Sequence, residues 1–318
     1  MLIVQKFGGS SLAGAERLRR AASIIADSAD AGNKVVAVVS ARGDTTDELL
    51  GQARRISADP PVRELDALLS CGETGSAAMT AMQLADIGKS CVSLTGAQAG
   101  ILTDGVHGAA RILSIDTARI MRELDAGKIV VAAGFQGAER GGDTTTLGRG
   151  GSDTTAVELA AVLKADRCEI YSDVDGIYTA DPRLVTGAVR LDSIDYGDML
   201  HLALHGSQVL HSRSVEAAMR ANVRVHLLSS FTRHEGTVMC KLDDRPGLCG
   251  VTRDSSLGTV SIIGREADAH VLAEAVAALA HSDIIVTRTE LFDGGCSLFV
   301  SPDRLLPALE ITHRRFFR

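Results

Sequence analysis

The chain has 318 residues, of which 45% are hydrophobic and 23% charged, and its formal net charge is −7 at pH 7. This composition is typical of a globular protein with one large domain or two ordinary ones, and no apolar run approaches the roughly 18 residues of a membrane-spanning helix. The acidic balance disfavours a nucleic-acid partner and a membrane surface. The six scattered cysteines form no CxxC pair. We therefore expect no zinc site and no disulfide scaffold, and a location in the reducing cytoplasm.

Strands and helices alternate along most of the chain. Nearly continuous β-branched runs predict buried strands, and apolar residues at helical spacing predict helices. The predicted elements, in chain order, are a strand at 2–7, a helix at 15–31, a strand at 34–40, a helix at 63–87, strands at 90–96 and 128–137, a helix at 156–165, a strand with an acidic turn at 168–176, a helix at 194–219 and a strand at 223–230. The alternation indicates an α/β fold with a largely parallel sheet. Polar, glycine-rich segments follow the strands, on the side of such sheets where ligands bind.

The C-terminal part has a different pattern. Residues 241–257 are crowded with charged residues, proline and glycine, and are predicted to form a linker between a domain at 1–240 and a small α+β module at 258–318. The predicted elements of this module are a strand at 259–264, a helix at 270–282, a hairpin of strands at 284–292 and 296–301, and a helix at 302–317 that Pro307 interrupts.

The most informative stretch is TTTLGRGGSDTT at residues 144–155. Its glycines let the backbone approach a ligand closely, while its amides and hydroxyls suit an anion. Arg149 can hold a carboxylate or phosphate as a fork, and the N-terminus of the following helix favours negative charge. The alternative is a flexible surface linker, but linkers rarely lead directly into an amphipathic helix.

Lys6 lies at the end of the first strand, separated by one residue from the glycine pair Gly8-Gly9 and Ser10. A lysine beside glycine amides can neutralise phosphate oxygens, whereas the alternative is a strand-end lysine that faces water. No GxxxxGK[ST] motif occurs, which excludes a P-loop.

Two acidic segments each allow two interpretations. Glu73, at a predicted helix start, either caps the helix or binds the ammonium group of a substrate. Asp173, Asp175 and Asp181 form Asx turns and a helix cap, or contact a nucleotide or Mg²⁺.

These segments resemble the motifs of the aspartate kinases, in the order of that family. The matching segments are KFGGSS (6–11), VVSARGDTTDELL (38–50), LLSCGE (68–73), SLTGAQAGILTDGVHGAARI (93–112), GFQG (134–137), TTLGRGGSDTTA (145–156) and EIYSDVDGIYTADPR (169–183). The resemblance covers residues 1–240 and implies the amino-acid kinase fold, a largely parallel sheet sandwiched by helices, followed by a small ACT-like domain. It also implies transfer of the γ-phosphoryl group of ATP, with Mg²⁺, to the side-chain carboxylate of L-aspartate, the first step of aspartate-family amino-acid biosynthesis.

The resemblance assigns roles to individual residues. Lys6 stabilises the transferring phosphoryl group, and Asp153 orients Lys6. Arg149 holds the substrate α-carboxylate and Glu73 its ammonium group, while Ser40, Thr46 and Ser152 line the same pocket. The implied ATP-binding residues are Lys6, Gly8, Gly9, Ser10, Ser172, Asp173, Asp175, Tyr178, Asp181, Arg183 and Gln208. No residue is expected to form a protein metal site. The chemistry is consistent, because an aspartate side chain is already ionised at pH 7 and its phosphorylation needs positioning and charge neutralisation rather than a base.

Two departures from the family pattern bear on function. Gln208 and Ser212 stand in GSQVLHSRS where the family has G-A-K-V-L-H-P-R, so a cation that contacts ATP phosphates is missing. The tail has room for one ACT-like module rather than two, and no Pro-Gly follows TVSIIG, so we expect weak or absent feedback inhibition by lysine or threonine. The resemblance also implies a homodimer, formed through the ACT-like module. A paralogue acting on another amino-acid carboxylate and a non-catalytic regulatory subunit stay open as alternatives. Retention of Lys6, Glu73, Arg149 and Asp153 favours catalysis.

Overall fold

The computed structural model describes residues 1–232 and 234–317. Its chain divides into two compact units. The first comprises Met1–Asp175 with Ala221–His234, and the second comprises Gly176–Arg220 with Glu235–Arg318. In the described residues no helix is both long and apolar enough to cross a membrane.

The elements are numbered in chain order. The strands are β1 (Leu2–Phe7), β2 (Lys34–Val39), β3 (Cys91–Leu94), β4 (Ile101–Thr103), β5 (Ile112–Ile115), β6 (Ile129–Ala133), β7 (Gln136–Ala138), β8 (Thr144–Thr146), β9 (Arg167–Ser172), β10 (Ser193–Ile194), β11 (Val225–Ser229), β12 (Thr237–Met239), β13 (Gly250–Asp254), β14 (Thr259–Ile263), β15 (Arg288–Phe292) and β16 (Gly295–Phe299). The helices are α1 (Gly9–Leu12), α2 (Gly14–Asp30), α3 (Thr45–Ile56), α4 (Val62–Asp86), α5 (Ala118–Asp125), α6 (Gly151–Val162), α7 (Tyr196–Leu204), α8 (Ser212–Ala221), α9 (Ala269–Ala280) and α10 (Leu305–Phe316), and a 3₁₀ turn spans Pro302–Arg304.

The first unit is built on a parallel sheet with strands in the order β11-β9-β1-β2-β6-β3. Valine and alanine runs such as 35–39 are buried on both faces, as parallel strands covered by helices require. The core packs Phe7, Leu12 and Ile25 against Val39 and Val131. Because the strands are parallel, the segments that follow their carboxyl ends lie along one edge of the sheet. The predicted α/β class is confirmed.

A second, smaller sheet in the first unit has strands in the order β5-β4-β7-β8. Our sequence analysis missed it because its strands β4, β7 and β8 are each three residues long. The predicted strand at 128–137 is in fact two strands, β6 and β7. Phe135, between them, has a φ of 68°, in the left-handed region that breaks a strand.

The second unit contains an antiparallel sheet with strands in the order β13-β14-β16-β15. Helices α9 and α10 cover it with a core that includes Val260, Ile262, Leu279 and Leu309. Strand β13 lies inside 241–257, the segment predicted as a linker, and adds a strand to the predicted module. The boundaries 1–240, 241–257 and 258–318 remain a prediction.

Three predicted helices differ in their bounds. Helix α6 begins at Gly151, so the end of the glycine-rich stretch forms its first turns rather than a loop. The predicted helix at 194–219 is two helices, α7 and α8. Pro307 does not break α10, because it is the third residue of that helix, where no backbone N–H is needed.

Candidate active site

Lys6 and Asp153 form a nearly buried ion pair in the first unit. Lys6 is 8% exposed, and its Nζ lies 2.6 Å from Oδ1 of Asp153 on the first turn of α6. The sequence places Lys6 one residue before the end of β1, so its side chain reaches the edge of the sheet where α6 begins. The pair therefore presents an oriented ammonium group beside the glycine turn that follows β1.

The glycine turn after β1 is held by backbone contacts. Gly8 donates its N–H to the carbonyl oxygen of Tyr171 in β9, at 3.1 Å. A Cβ on Gly9 would lie 2.6 Å from the carbonyl oxygen of Ala41, so only glycine fits where this turn meets the end of β2. Ser10 follows on α1, with its side chain half-buried. The turn thus places Gly8, Gly9 and Ser10 next to Lys6.

Glu73 lies in the middle of α4, not at a helix start, which excludes the capping alternative. It is 4% exposed, and its Oε1 accepts a hydrogen bond of 3.0 Å from the N–H of Ala41. Its other oxygen, Oε2, is buried and has no hydrogen-bond partner among the described residues. Burial raises the pKa of Glu73 to about 7, and the hydrogen bond from Ala41 lowers the pKa only partly. An unpartnered buried carboxylate oxygen is an acceptor for a cation.

Arg149, in the segment between β8 and α6, and Ser152, in the first turn of α6, lie at the same edge. Gly150 has a φ of 68° and precedes the helix, so the free amides of the first turn of α6 face this segment. A Cβ on Gly134 would lie 2.8 Å from Oγ of Ser152, so this close approach needs glycine after β6. Arg149 is exposed, and within residues 1–232 and 234–317 its guanidinium has no hydrogen-bond or ion-pair partner. It is available to an anion.

Short contacts connect these groups along one edge of the sheet. The N–H of Ser40 donates to the carbonyl oxygen of Phe7, and the N–H of Gly134 donates to that of Val39. Strands β1, β2 and β6 therefore end side by side, with Lys6, the Ala41–Glu73 contact and Ser152 following them. Ser40 and Thr46, both half-buried, flank this contact in sequence.

The predicted nucleotide stretch is divided between the two units. In the first unit, Ser172 closes a turn through Val174, Asp173 is exposed, and Asp175 Oδ2 lies 2.6 Å from Nδ1 of His234. In the second unit, Tyr178 forms a β-bridge with Arg190.

Asp181 and Arg183, also in the second unit, pair with each other at 2.8 Å, and this hydrogen bond lowers the pKa of Asp181. Gln208 is exposed. The assignment of these residues to ATP stays a prediction. Among the residues the structure describes, no group of three or more His, Cys, Asp or Glu side chains could hold a metal ion.

Sequence reasoning missed Gln136. This buried side chain donates from Nε2 to the carbonyl oxygen of Ser70, at 2.9 Å, and to Oγ1 of Thr74, at 3.3 Å. It thereby ties β7 to the turn of α4 that carries Glu73. The signal available in the sequence was a polar residue in an otherwise apolar and glycine-rich segment.

The fold and the site define a phosphoryl-transfer protein of a known class. The sequence model described as Amino acid kinase family matches residues 1–229. An aspartokinase of Mycolicibacterium smegmatis is 48% identical over 289 residues, which cover 89% of this chain and 69% of that one.

Solved structures agree with this class. The aspartate kinase from Synechocystis is 37% identical with a TM-score of 0.70, and the match covers 99% of this chain and 55% of that one. E. coli aspartokinase III in complex with aspartate and ADP is 26% identical with a TM-score of 0.73, covering 95% of this chain and 79% of that one. The chain thus spans about half of the Synechocystis chain. It belongs to the amino acid kinase family and, within that family, to the aspartokinases.

Proposed function

We propose that this chain phosphorylates the side-chain carboxylate of L-aspartate with ATP and forms 4-phospho-L-aspartate. The observation that carries the proposal is the buried, unpartnered Oε2 of Glu73, together with the unengaged guanidinium of Arg149. A buried carboxylate suits an ammonium group, and a guanidinium suits a carboxylate. An α-amino acid supplies both groups on one carbon atom.

The proposed phosphoryl transfer needs no general base. The side chain of aspartate is ionised at neutral pH, so it can attack the γ-phosphorus while the bond to the bridging oxygen of ADP breaks. The barrier lies in bringing two anions together. Lys6, held by Asp153, and the amides of Gly9 and Ser10 supply positive charge where the γ-phosphoryl oxygens gain negative charge.

In the first unit, the nucleotide contacts that we propose come from Lys6, Gly8, Gly9 and Ser10, with Ser172 at the end of β9 and Asp173 and Asp175 after it. Mg²⁺ binds phosphate oxygens together with one or two carboxylates, and it enters with ATP. Asp173 is the exposed carboxylate of this stretch and fits that contact.

We also propose that the ACT-like module, residues 258–318, pairs two chains into a homodimer and gives weak or no feedback inhibition. The exposed edge strand β15 supports pairing, because its backbone is free on one side. A cytoplasmic location fits the six free cysteine thiols.

A hydroxylamine-trapping assay with purified protein, Mg-ATP and L-aspartate tests the proposed reaction. We expect aspartyl hydroxamate from the wild type and none from Lys6→Ala. Asp143→Asn serves as the matched control, because Asp143 pairs with Arg63 at the surface and takes no part in the proposed site. Hydroxamate from another amino-acid carboxylate but not from aspartate would favour the paralogue alternative. Absence of product from every carboxylate would favour the regulatory subunit.

A further inference from the structure

Asp66 is a buried carboxylate that the proposed reaction does not use. It is 1% exposed, and within residues 1–232 and 234–317 no lysine or arginine pairs with it. Instead its two oxygens accept hydrogen bonds from the N–H of Gly108 (3.0 and 3.1 Å), from the N–H of Thr146 (3.0 Å) and from Oγ1 of Thr146 (2.6 Å). Nδ1 of His107 lies 2.8 Å from Oδ2. A carboxylate satisfied by so many donors fixes the relative position of the segments that carry them.

Asp66 and its donor Thr146 lie on the two segments that carry the proposed substrate contacts, α4 and β8. Asp66 and Glu73 are seven residues apart on α4, which is two helical turns, so they lie on the same face about 10 Å apart along the axis. Thr146 ends β8, three residues before Arg149. One carboxylate therefore joins the helix that presents Glu73 to the strand that leads into Arg149.

We propose that Asp66 is a positioning residue that sets the spacing between Glu73 and Arg149, and hence between the ammonium and α-carboxylate groups of the substrate. This inference rests on the proposed function. Asp66 itself touches neither the substrate nor ATP. His107 and Gly108 anchor the same carboxylate to the turn between β4 and β5, which keeps the small sheet in register with α4.

Asparagine cannot reproduce these contacts. Both oxygens of Asp66 accept, so an amide nitrogen in either position would face at least one backbone N–H. The expected result is a small shift of β8 against α4. Sub-ångström to ångström misplacement of a substrate contact costs about ten- to a hundredfold in catalytic efficiency.

The test compares Asp66→Asn with a matched pair at the other end of the contact. Thr146→Val removes only the hydroxyl donor, and Thr146→Ser keeps it. Asp125→Asn is the control for a surface carboxylate, because Asp125 pairs with Lys34 at 2.7 Å and neither residue belongs to α4 or β8. For each variant, the KM for L-aspartate, the KM for ATP, kcat and the midpoint of thermal unfolding are measured.

We expect Asp66→Asn and Thr146→Val to raise the KM for L-aspartate about tenfold or more, while the KM for ATP changes less than about twofold. Both KM values of Thr146→Ser should stay near those of the wild type. If Asp66→Asn fails to fold, the Thr146 pair decides. Two results would overturn this inference without touching the proposed function. One is a KM for L-aspartate that stays within about twofold of the wild type in Asp66→Asn or Thr146→Val, and the other is an equal rise of the KM for L-aspartate and the KM for ATP. A wild type that forms no aspartyl hydroxamate would overturn the proposed function, and the inference with it.

Discussion

The raised pKa of Glu73 predicts a pH dependence of kcat/KM that distinguishes binding of the substrate ammonium group from a simple packing role. Its pKa is raised to about 7 by burial, and only its ionised form can accept an ammonium group. At pH 6 roughly one tenth of the free enzyme carries the ionised form, and at pH 8 roughly nine tenths does. Since kcat/KM reports the free enzyme, kcat/KM for L-aspartate should rise about tenfold between these values and then level off.

The assay is initial-rate kinetics from pH 6 to 9 at constant ionic strength and saturating Mg-ATP. The side-chain carboxyl of free aspartate stays ionised throughout this range, so it does not contribute to the slope. Glu73→Gln is the control. It loses a charge-assisted hydrogen bond, worth about 1.5–3 kcal/mol, so kcat/KM at pH 8 should fall about ten- to a hundredfold and lose its pH dependence.

Two results would refute this reasoning. A wild-type profile that is flat between pH 6 and 8 would show that the free enzyme already holds Glu73 ionised. A slope that persists in Glu73→Gln would assign the titration to another group. In both cases a Glu73 carboxyl that titrates near pH 7 would no longer explain the pH dependence.

Three further predictions concern stability, nucleotide binding and regulation. Glu73→Gln should raise the free energy of unfolding at pH 8 by about 1–3 kcal/mol. The reason is that a raised carboxyl pKa makes the folded wild type lose stability as the pH rises from the pKa of the unfolded state to about 7. Chemical denaturation at pH 8 and pH 5 checks this, and most of the gain in stability should vanish at pH 5. Gln208→Lys restores the cation that the family pattern has at this position and should lower the KM for ATP several-fold, to about one third or less; an unchanged KM would contradict this expectation. Lysine and threonine, titrated singly and together at subsaturating aspartate, should leave the rate unchanged, and potent inhibition by either would disprove the expectation.

The sequence was sufficient for the main sheet and for α2 and α4, because strands such as β1, β2 and β6 are compact apolar runs and these two helices are long. It did not predict α3 or α5. It was not sufficient for the small sheet. Strands of three residues such as β7 and β8 carry too few side chains to show a period, and their pairing is set by contacts distant in sequence, such as the 2.7 Å hydrogen bond between Thr103 and Thr145.

The site residues could be proposed from the sequence, but their environments could not. Lys6 beside a glycine turn was visible, whereas its ion pair with Asp153 depends on where α6 begins, and α6 begins five residues earlier than its apolar pattern indicates. The polar first turns GSDTT hide the helix, since Gly, Ser, Asp and Thr are poor helix formers. Glu73 was predicted at a helix start because Gly72 precedes it. In the structure Gly72 is needed inside the helix, where a Cβ would lie 2.9 Å from that of Ala41.

The two buried carboxylates of α4 show why the free oxygen of Glu73 is informative. Asp66 and Glu73 lie on the same helix face, both are at most 4% exposed, and neither has a lysine or arginine ion-pair partner in the described part of the chain. Asp66 is satisfied by donors from two other segments, as buried polar groups normally are. Glu73 receives one hydrogen bond and leaves Oε2 empty. The same helix, two turns apart, therefore carries one acceptor that the fold fills and one that it leaves open, and the open one lies at the edge where β1, β2 and β6 end. A buried acceptor is destabilising unless a ligand supplies its partner, so the position of Glu73 favours binding rather than packing.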